Sequence, residues 1–337
     1  MLPRLLMITV REKTNCLIIL SSNICLTSPG YADHSGTPND KENYTKLLQA
    51  IRYRLDNLSR ETGKSYGLTA ALPCNPQHMD NIEVNKLANI LTEFNLMSYD
   101  LFGSWDPVTG ANAPLYHQGF GNEDFNIHSC VENYVALGAP RERINIGLPF
   151  YGRSFKHATG LNQPHGGNDE ANWPDDEGTP QYFNIYNKLP YMIQMRDNKG
   201  KTQYAYTKRD DPKLPPGGEI LAEGLVSFDD ERAICDKVHY AQQNNLGGFI
   251  IWVSHSLSCS CYHFAQILTM LFAPGTIWRY SRGFAHATVG HYQQEIGQSF
   301  IPMLYVALAR GMREGKIGGR EETAVSGSGR LFELVWI

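Results

Sequence analysis

Long apolar runs are scarce in this sequence. No stretch approaches the roughly 18 uninterrupted apolar residues of a membrane span, so no spanning helix and no membrane role is expected. Excess charge of one sign is also missing. With 30 Lys and Arg against 34 Asp and Glu, the net charge is −4, which leaves no electrostatic footprint for nucleic acid or an anionic surface. No G-x-G-x-x-G or G-x-x-x-x-G-K loop follows a strand-like segment, which argues against a nucleotide fold. The seven cysteines, at positions 16, 25, 74, 130, 235, 259 and 261, fit neither a dense disulfide framework nor paired zinc knuckles. Cys259 and Cys261 are too few for a metal site alone, and neither a metal nor a cofactor is expected. A clean signal peptide is lacking too, because Arg11, Glu12 and Lys13 interrupt the apolar start and no small-residue cleavage site follows.

What is present is an ordinary globular composition, 42% hydrophobic and 19% charged over 337 residues. Aromatics are plentiful, with 18 Tyr, 14 Phe and 5 Trp, enough for a core and for flat ligand-binding faces as well. Two glycosylation sequons occur, Asn43-Tyr44-Thr45 and Asn57-Leu58-Ser59, and they matter only in a secreted chain.

Three stretches differ in character. Residues 1–28 are apolar and Cys-bearing, with a strand-like run at Cys16 to Leu20. From Pro29 to Trp252, strand-like and helix-like segments alternate, the pattern of a parallel α/β fold. From 253 to 337 the alternation stops, leaving two helical-looking segments, HFAQILTMLF and FIPMLYVALARGM. Within the middle stretch, Tyr44, Leu47, Leu48, Ile51, Leu55 and Leu58 recur at helical spacing, with Asn39 or Asp40 as N-cap and Gly63 as the stop. Strands are predicted at 66–74, 94–100, 144–152 and 246–252, and helices near 84–91, 126–137 and 229–245. Residues 156–224 are irregular, with QYFNIY and TQYAYT read as short aromatic strands of a small α+β insertion. Four strand-plus-helix units suggest half of a closed (β/α)8 barrel, with functional residues at the C-terminal strand ends.

The motifs at those ends carry a resemblance. Met97-Ser98-Tyr99-Asp100, followed by Phe102-Gly103-Ser104-Trp105 and Ala113-Pro114-Leu115-Tyr116, resembles the sixth-strand region of glycoside hydrolase family 18, the chitinases and chitolectins. Gly147 to Phe155 resembles the seventh strand, 156–224 the chitinase insertion domain, and Gly247 to Trp252 the eighth strand. The resemblance implies a (β/α)8 TIM-type barrel, of which 29–155 and 225–252 form the second half, and a ligand of chitin or chito-oligosaccharide. It further implies that Trp252 stacks on a sugar and that Tyr99 bonds its N-acetyl group. Met97 would line the pocket, Asp100, Tyr151 and Arg153 would add polar contacts, and Trp105 a second stacking surface. Read without the resemblance, Met97 and Tyr151 could equally be barrel core. A charge at a buried strand end needs a partner or a task, so Tyr99 and Asp100 are read as site residues.

The family hydrolyses with help from the substrate's acetamide, and one Glu protonates the leaving oxygen. That Glu closes an Asp-x-x-Asp-x-Asp-x-Glu motif just before Tyr-Pro-Gly. Counting back from Pro29-Gly30, Thr27 occupies the acid's place, Cys25 and Asn23 those of two aspartates, and Leu20 that of the first. A threonine hydroxyl cannot deliver the proton at neutral pH. Asp33 and Asp40 are the nearest carboxylates, in the loop that follows. Only 28 residues precede the matching stretch, whereas three and a half βα units need roughly 100. Three readings follow: a chitinase whose chain is truncated or mis-spliced, a non-catalytic, chitolectin-like chitin-binding protein, or a product without stable function because foreign ends replace the front half and the tail and leave the sheet edges bare. The family is usually secreted.

Overall fold

The computed structural model describes residues 7–12, 16–20, 37–215, 222–252, 277–279 and 331–336. The readings placed on Thr27, on Pro29-Gly30-Tyr31, on Asp33 and on the two helical-looking segments of the tail lie outside these.

Four apolar segments form the centre of the sheet: β3 (Tyr66–Pro73), β4 (Glu93–Met97), β5 (Ile144–Pro149) and β10 (Gly248–Trp252). They lie side by side and all parallel. Every residue of β5 is buried, as expected for a strand covered on both faces. A row of polar groups crosses the strands: Asn145 donates to Asn95 at 2.8 Å, and Asn95 donates to the Thr69 hydroxyl at 3.2 Å. These amides are buried but satisfied, and they oppose a one-residue slip of register.

Helices pack against this sheet. In α1 (Asp40–Thr62) Tyr44, Leu48 and Leu55 are buried, while Leu58, at the end of the expected stripe, is exposed. Gly63 closes the helix in the left-handed region, the conformation that favours glycine. The second predicted helix, near 84–91, shrinks to the single turn α3 (Val84–Leu87), preceded by another turn, α2 (Pro76–Met79), that was not predicted. α4 (Ile127–Ala136) and α6 (Glu231–Gln243) are capped by Asn126 and Asp230, whose side chains accept from Ser129 and Ala233 N–H groups. A Cys74–Cys130 disulfide ties the end of β3 to α4, a pairing the scattered cysteine positions did not suggest.

Between β5 and α6 stands a second sheet, antiparallel, in the order β6 (Arg153–Lys156), β9 (Gly224–Phe228), β8 (Thr202–Thr207), β7 (Ile193–Asp197). Its two outer members in sequence, β6 and β9, reach across the expected limits at 156 and 224. TQYAYT is strand β8, as predicted. QYFNIY is not a strand: Tyr182–Lys188 is helix α5, with Ile185 buried under it. Tyr, Phe and Ile favour strands intrinsically, but Ile185 packs with Trp173, Val226 and Phe228, and tertiary burial overrides propensity.

The two ends of the central sheet correct the expectation of bare edges. β1 (Met7–Glu12) pairs antiparallel with β3 and with β2 (Cys16–Leu20). β12 (Leu331–Trp336) pairs parallel with β10, and β11 (Ile277–Arg279) with β12. The order is β11-β12-β10-β5-β4-β3-β1-β2. An edge strand presents unpaired N–H and C=O groups that template any available extended segment, and the terminal stretches supply such segments. Among the described residues, no helix is long and apolar enough to cross a membrane.

Candidate functional site

The register brings the C-terminal ends of the four parallel strands together. Pro73 is level with Met97, and Pro149 with Trp252. Beyond Met97 the β4–β5 pairing continues through a side chain, because the Ser98 hydroxyl accepts from Gly147 N–H at 2.8 Å. The next two residues, Tyr99 and Asp100, turn over the top of the sheet. Gly147 is required below them, since a Cβ there would lie 2.6 Å from the Tyr99 ring. Asp100 adopts a φ of 59°, a left-handed conformation that Asp tolerates better than most residues.

Asp100 is the electrostatic centre. Its Oδ1 accepts from the Tyr151 hydroxyl at 2.6 Å, from Arg153 Nη2 at 2.6 Å and from Arg153 Nε at 2.9 Å. The Arg153 guanidinium lies 4.9 Å from the Trp105 ring centroid and 5.5 Å from that of Tyr151, so one cation is shared by a carboxylate and two π faces. Tyr99 meets Tyr151 edge-on at 6.1 Å and Trp252 at 6.4 Å. Met97 and Trp252, each half-buried, complete the cluster with Ala113. Trp105 is 55% exposed.

Two phenols in this cluster are buried, with different consequences. Burial, then the Asp100 charge, pushes the Tyr151 hydroxyl well above the ordinary phenol range, so it keeps its proton and donates a hydrogen bond to Asp100 Oδ1. The same two causes raise Tyr99, whose hydroxyl is buried and has no partner among the described residues. Tyr99 therefore offers a fixed donor without an acceptor, an arrangement that costs stability unless a ligand completes it.

The structure thus gathers all seven residues singled out from the sequence: Met97, Tyr99, Asp100, Trp105, Tyr151, Arg153 and Trp252. Sequence reasoning missed Asn112, which binds the Asp100 backbone. The available signal was a polar residue among small ones in Gly110-Ala111-Asn112-Ala113-Pro114. Among the described residues, no group of three or more metal-ligating side chains occurs. The arrangement can stack an apolar ring face on Trp252, donate from Tyr99 and accept at Asp100.

Comparison with known proteins gives this geometry a family. Chitotriosidase-1 of Mus musculus is 31% identical over 229 residues, 65% of this chain and 46% of that protein. A family 18 N-acetylglucosaminidase from Paenibacillus barengoltzii is 25% identical with a TM-score of 0.59, covering 73% of this chain and 68% of that one. An Ostrinia furnacalis Group II chitinase catalytic domain, a mutant in complex with penta-N-acetylchitooctaose, is 28% identical with a TM-score of 0.54, covering 65% of this chain and 55% of that one. The chain spans half or less of the length of the curated relatives it matches. These relatives imply a (β/α)8 TIM-type fold of which the described sheet is part. The model of Glycosyl hydrolases family 18 matches residues 23–256, well over half of the chain. With that match and this strand-end cluster together, the chain belongs to glycosyl hydrolases family 18.

Proposed function

We propose that the chain binds N-acetylglucosamine oligomers at the ends of β4, β5 and β10 and does not hydrolyse them. The observation that carries the reading is the buried, unpartnered Tyr99 hydroxyl between the Trp252 ring and the Asp100 cluster. A sugar acetamide oxygen would satisfy that donor while the pyranose face covers Trp252. The Ostrinia furnacalis complex supports an oligosaccharide as the ligand class. In this reading the four parallel strands are the second half of the barrel, and residues 156–224 its insertion domain.

The lack of hydrolysis rests on Thr27. In this reading Thr27 takes the position of the acid, within the stretch from residue 23 that the family match covers. Without a proton donor, leaving-group departure loses the roughly 10²–10⁴-fold that general acid catalysis contributes. The Cys74–Cys130 disulfide supports an oxidising compartment, in keeping with a secreted protein.

Titration with chitopentaose, followed by tryptophan fluorescence, tests the binding. Saturable quenching is expected in the wild type, with Trp252→Ala weakened by about tenfold or more, given roughly 1.5–3 kcal/mol for one buried aromatic face. Equal affinity in the two proteins would remove Trp252 from the site. Incubation with a chromogenic chito-oligosaccharide should release no product. Turnover above a blank that Asp100→Ala abolishes would overturn the non-hydrolytic reading.

A further inference from the structure

We infer that Asn112 is a positioning residue that fixes the orientation of Asp100 and, through it, of Arg153. The inference rests on the sugar-binding reading above for its functional meaning, but its geometry stands separately.

Asn112 lies in an irregular loop and is 1% exposed. Every polar group it carries has a partner, and those partners come from three different parts of the site. Its Oδ1 accepts from the Asp100 backbone N–H at 2.9 Å, and its own carbonyl accepts from Leu101 N–H at 3.0 Å. Its Nδ2 donates to the Tyr151 carbonyl at 3.2 Å, and its backbone N–H donates to the Ser227 hydroxyl at 2.9 Å. One buried amide therefore links the turn after β4, the end of β5 and strand β9 of the insertion sheet.

The link has a specific task. Asp100 sits at φ 59°, outside the usual range of a non-glycine residue, and it persists there only if its surroundings over-determine it. The bond from its N–H to Asn112 Oδ1 holds the peptide before Asp100, and the bond from Leu101 N–H to the Asn112 carbonyl holds the one after it. Released from Asn112, the peptide can relax toward negative φ. That rotation swings the carboxylate away from the Tyr151 hydroxyl and from both Arg153 nitrogens. Arg153 then loses the anion that keeps it over Trp105. Asn112 touches neither the proposed sugar face nor a reacting atom, so its side chain acts through the two site residues it binds, Asp100 and Tyr151, and an Asp100→Ala background separates the two routes.

Two measurements test this, one with ligand and one without. In ligand-free protein, the Arg153 Nε–H signal in a nitrogen–proton correlation spectrum, assigned with Arg153→Lys, should exchange slowly in the wild type. It should exchange at least about tenfold faster in Asn112→Ala, while backbone amides of β4 and β5 keep their protection. With chitopentaose, Asn112→Ala should bind about tenfold more weakly than wild type, yet lower affinity by less than about twofold in an Asp100→Ala background. If Asn112→Ala does not fold, Ser227→Ala removes one of its anchors, and a loss of about threefold that vanishes with Asp100→Ala supports the same conclusion. Unchanged Arg153 exchange, or equal losses in both backgrounds, overturns the inference. A wild type that binds no sugar, with faster Arg153 exchange in Asn112→Ala, would overturn the binding reading and leave the positioning role standing.

Discussion

The Tyr99 hydroxyl shows how a single residue separates stability from function. A buried hydroxyl without a partner costs the folded state about 1–3 kcal/mol of desolvation, whereas a neutral hydrogen bond to a ligand gives back roughly 0.5–1.5 kcal/mol. Tyr99→Phe should therefore melt at the same temperature as wild type or slightly higher, while chitopentaose affinity falls by about two- to tenfold. Calorimetric melting and titration of the same preparation check the pair of outcomes, and a lower melting point with unchanged affinity would show that the hydroxyl serves packing instead. At this scale the site was legible because its residues cluster in short motifs, 97–105, 147–155 and 247–252. Asn112 was not legible. Its partners stand 12, 39 and 115 positions away, and nothing local in the sequence announces them.

Helix α6 illustrates how charge and burial are balanced within an element. Lys237 is fully buried and contacts Asp229, itself only 3% exposed, the residue just before the helix's N-cap. Burial raises the Asp229 carboxyl and lowers the Lys237 ammonium, and the contact between them opposes both shifts. Lys237→Met alone leaves a buried carboxylate uncompensated and should cost about 3–5 kcal/mol, while Asp229→Leu with Lys237→Met should be near neutral or stabilising. Urea midpoints of the three proteins decide this. A more exposed pair behaves differently: Arg141 donates twice to Glu132, at 2.8 Å each, and holds its carboxyl below the ordinary range. A depressed acid pKa adds stability above its unfolded value and loses it as the pH falls through the folded one. With both side chains partly exposed, solvent screening limits the effect, so Glu132→Gln should cost less than about 1 kcal/mol at neutral pH. The difference from wild type should close as the pH drops below about 4, as denaturant melts across that range would record. The strands at this scale were readable from apolar runs such as GFIIW and INIGLP, the latter interrupted only by Asn145. Helix α5 was misread because its aromatics mimic a strand, and only the burial of Ile185 against the second, antiparallel sheet reveals the helix.

At the scale of the molecule, the remaining questions concern long-range closure. The Cys74–Cys130 disulfide spans a separation of 56 residues, so Cys74→Ser with Cys130→Ser should lower stability by roughly 2–4 kcal/mol, read from the shift of the denaturant midpoint. That pairing was invisible in the sequence, since which cysteines meet is a statement about distance in the fold. The sheet edges were misjudged for a related reason: composition identifies an extended segment but not the strand it pairs with. Bare edges at β3 and β10 would predict broad unfolding, low solubility and proteolysis beginning at both ends. The observed pairings predict the reverse. Val10 is level with Leu68 on β3, and Val335 with Ile250 on β10, so each terminal strand satisfies backbone groups that would otherwise seek water or another chain. The full chain should melt in one sharp transition, with slow amide exchange along both β3 and β10. Proline cannot donate to a ladder, so Val10→Pro should raise exchange chiefly in β3 and Val335→Pro chiefly in β10, each with earlier protease cleavage and a lower melting temperature. Exchange in β3 and β10 that is unchanged by either proline would mean that the terminal strands contribute nothing to closing the sheet, and the edges would have to be protected by some other contact.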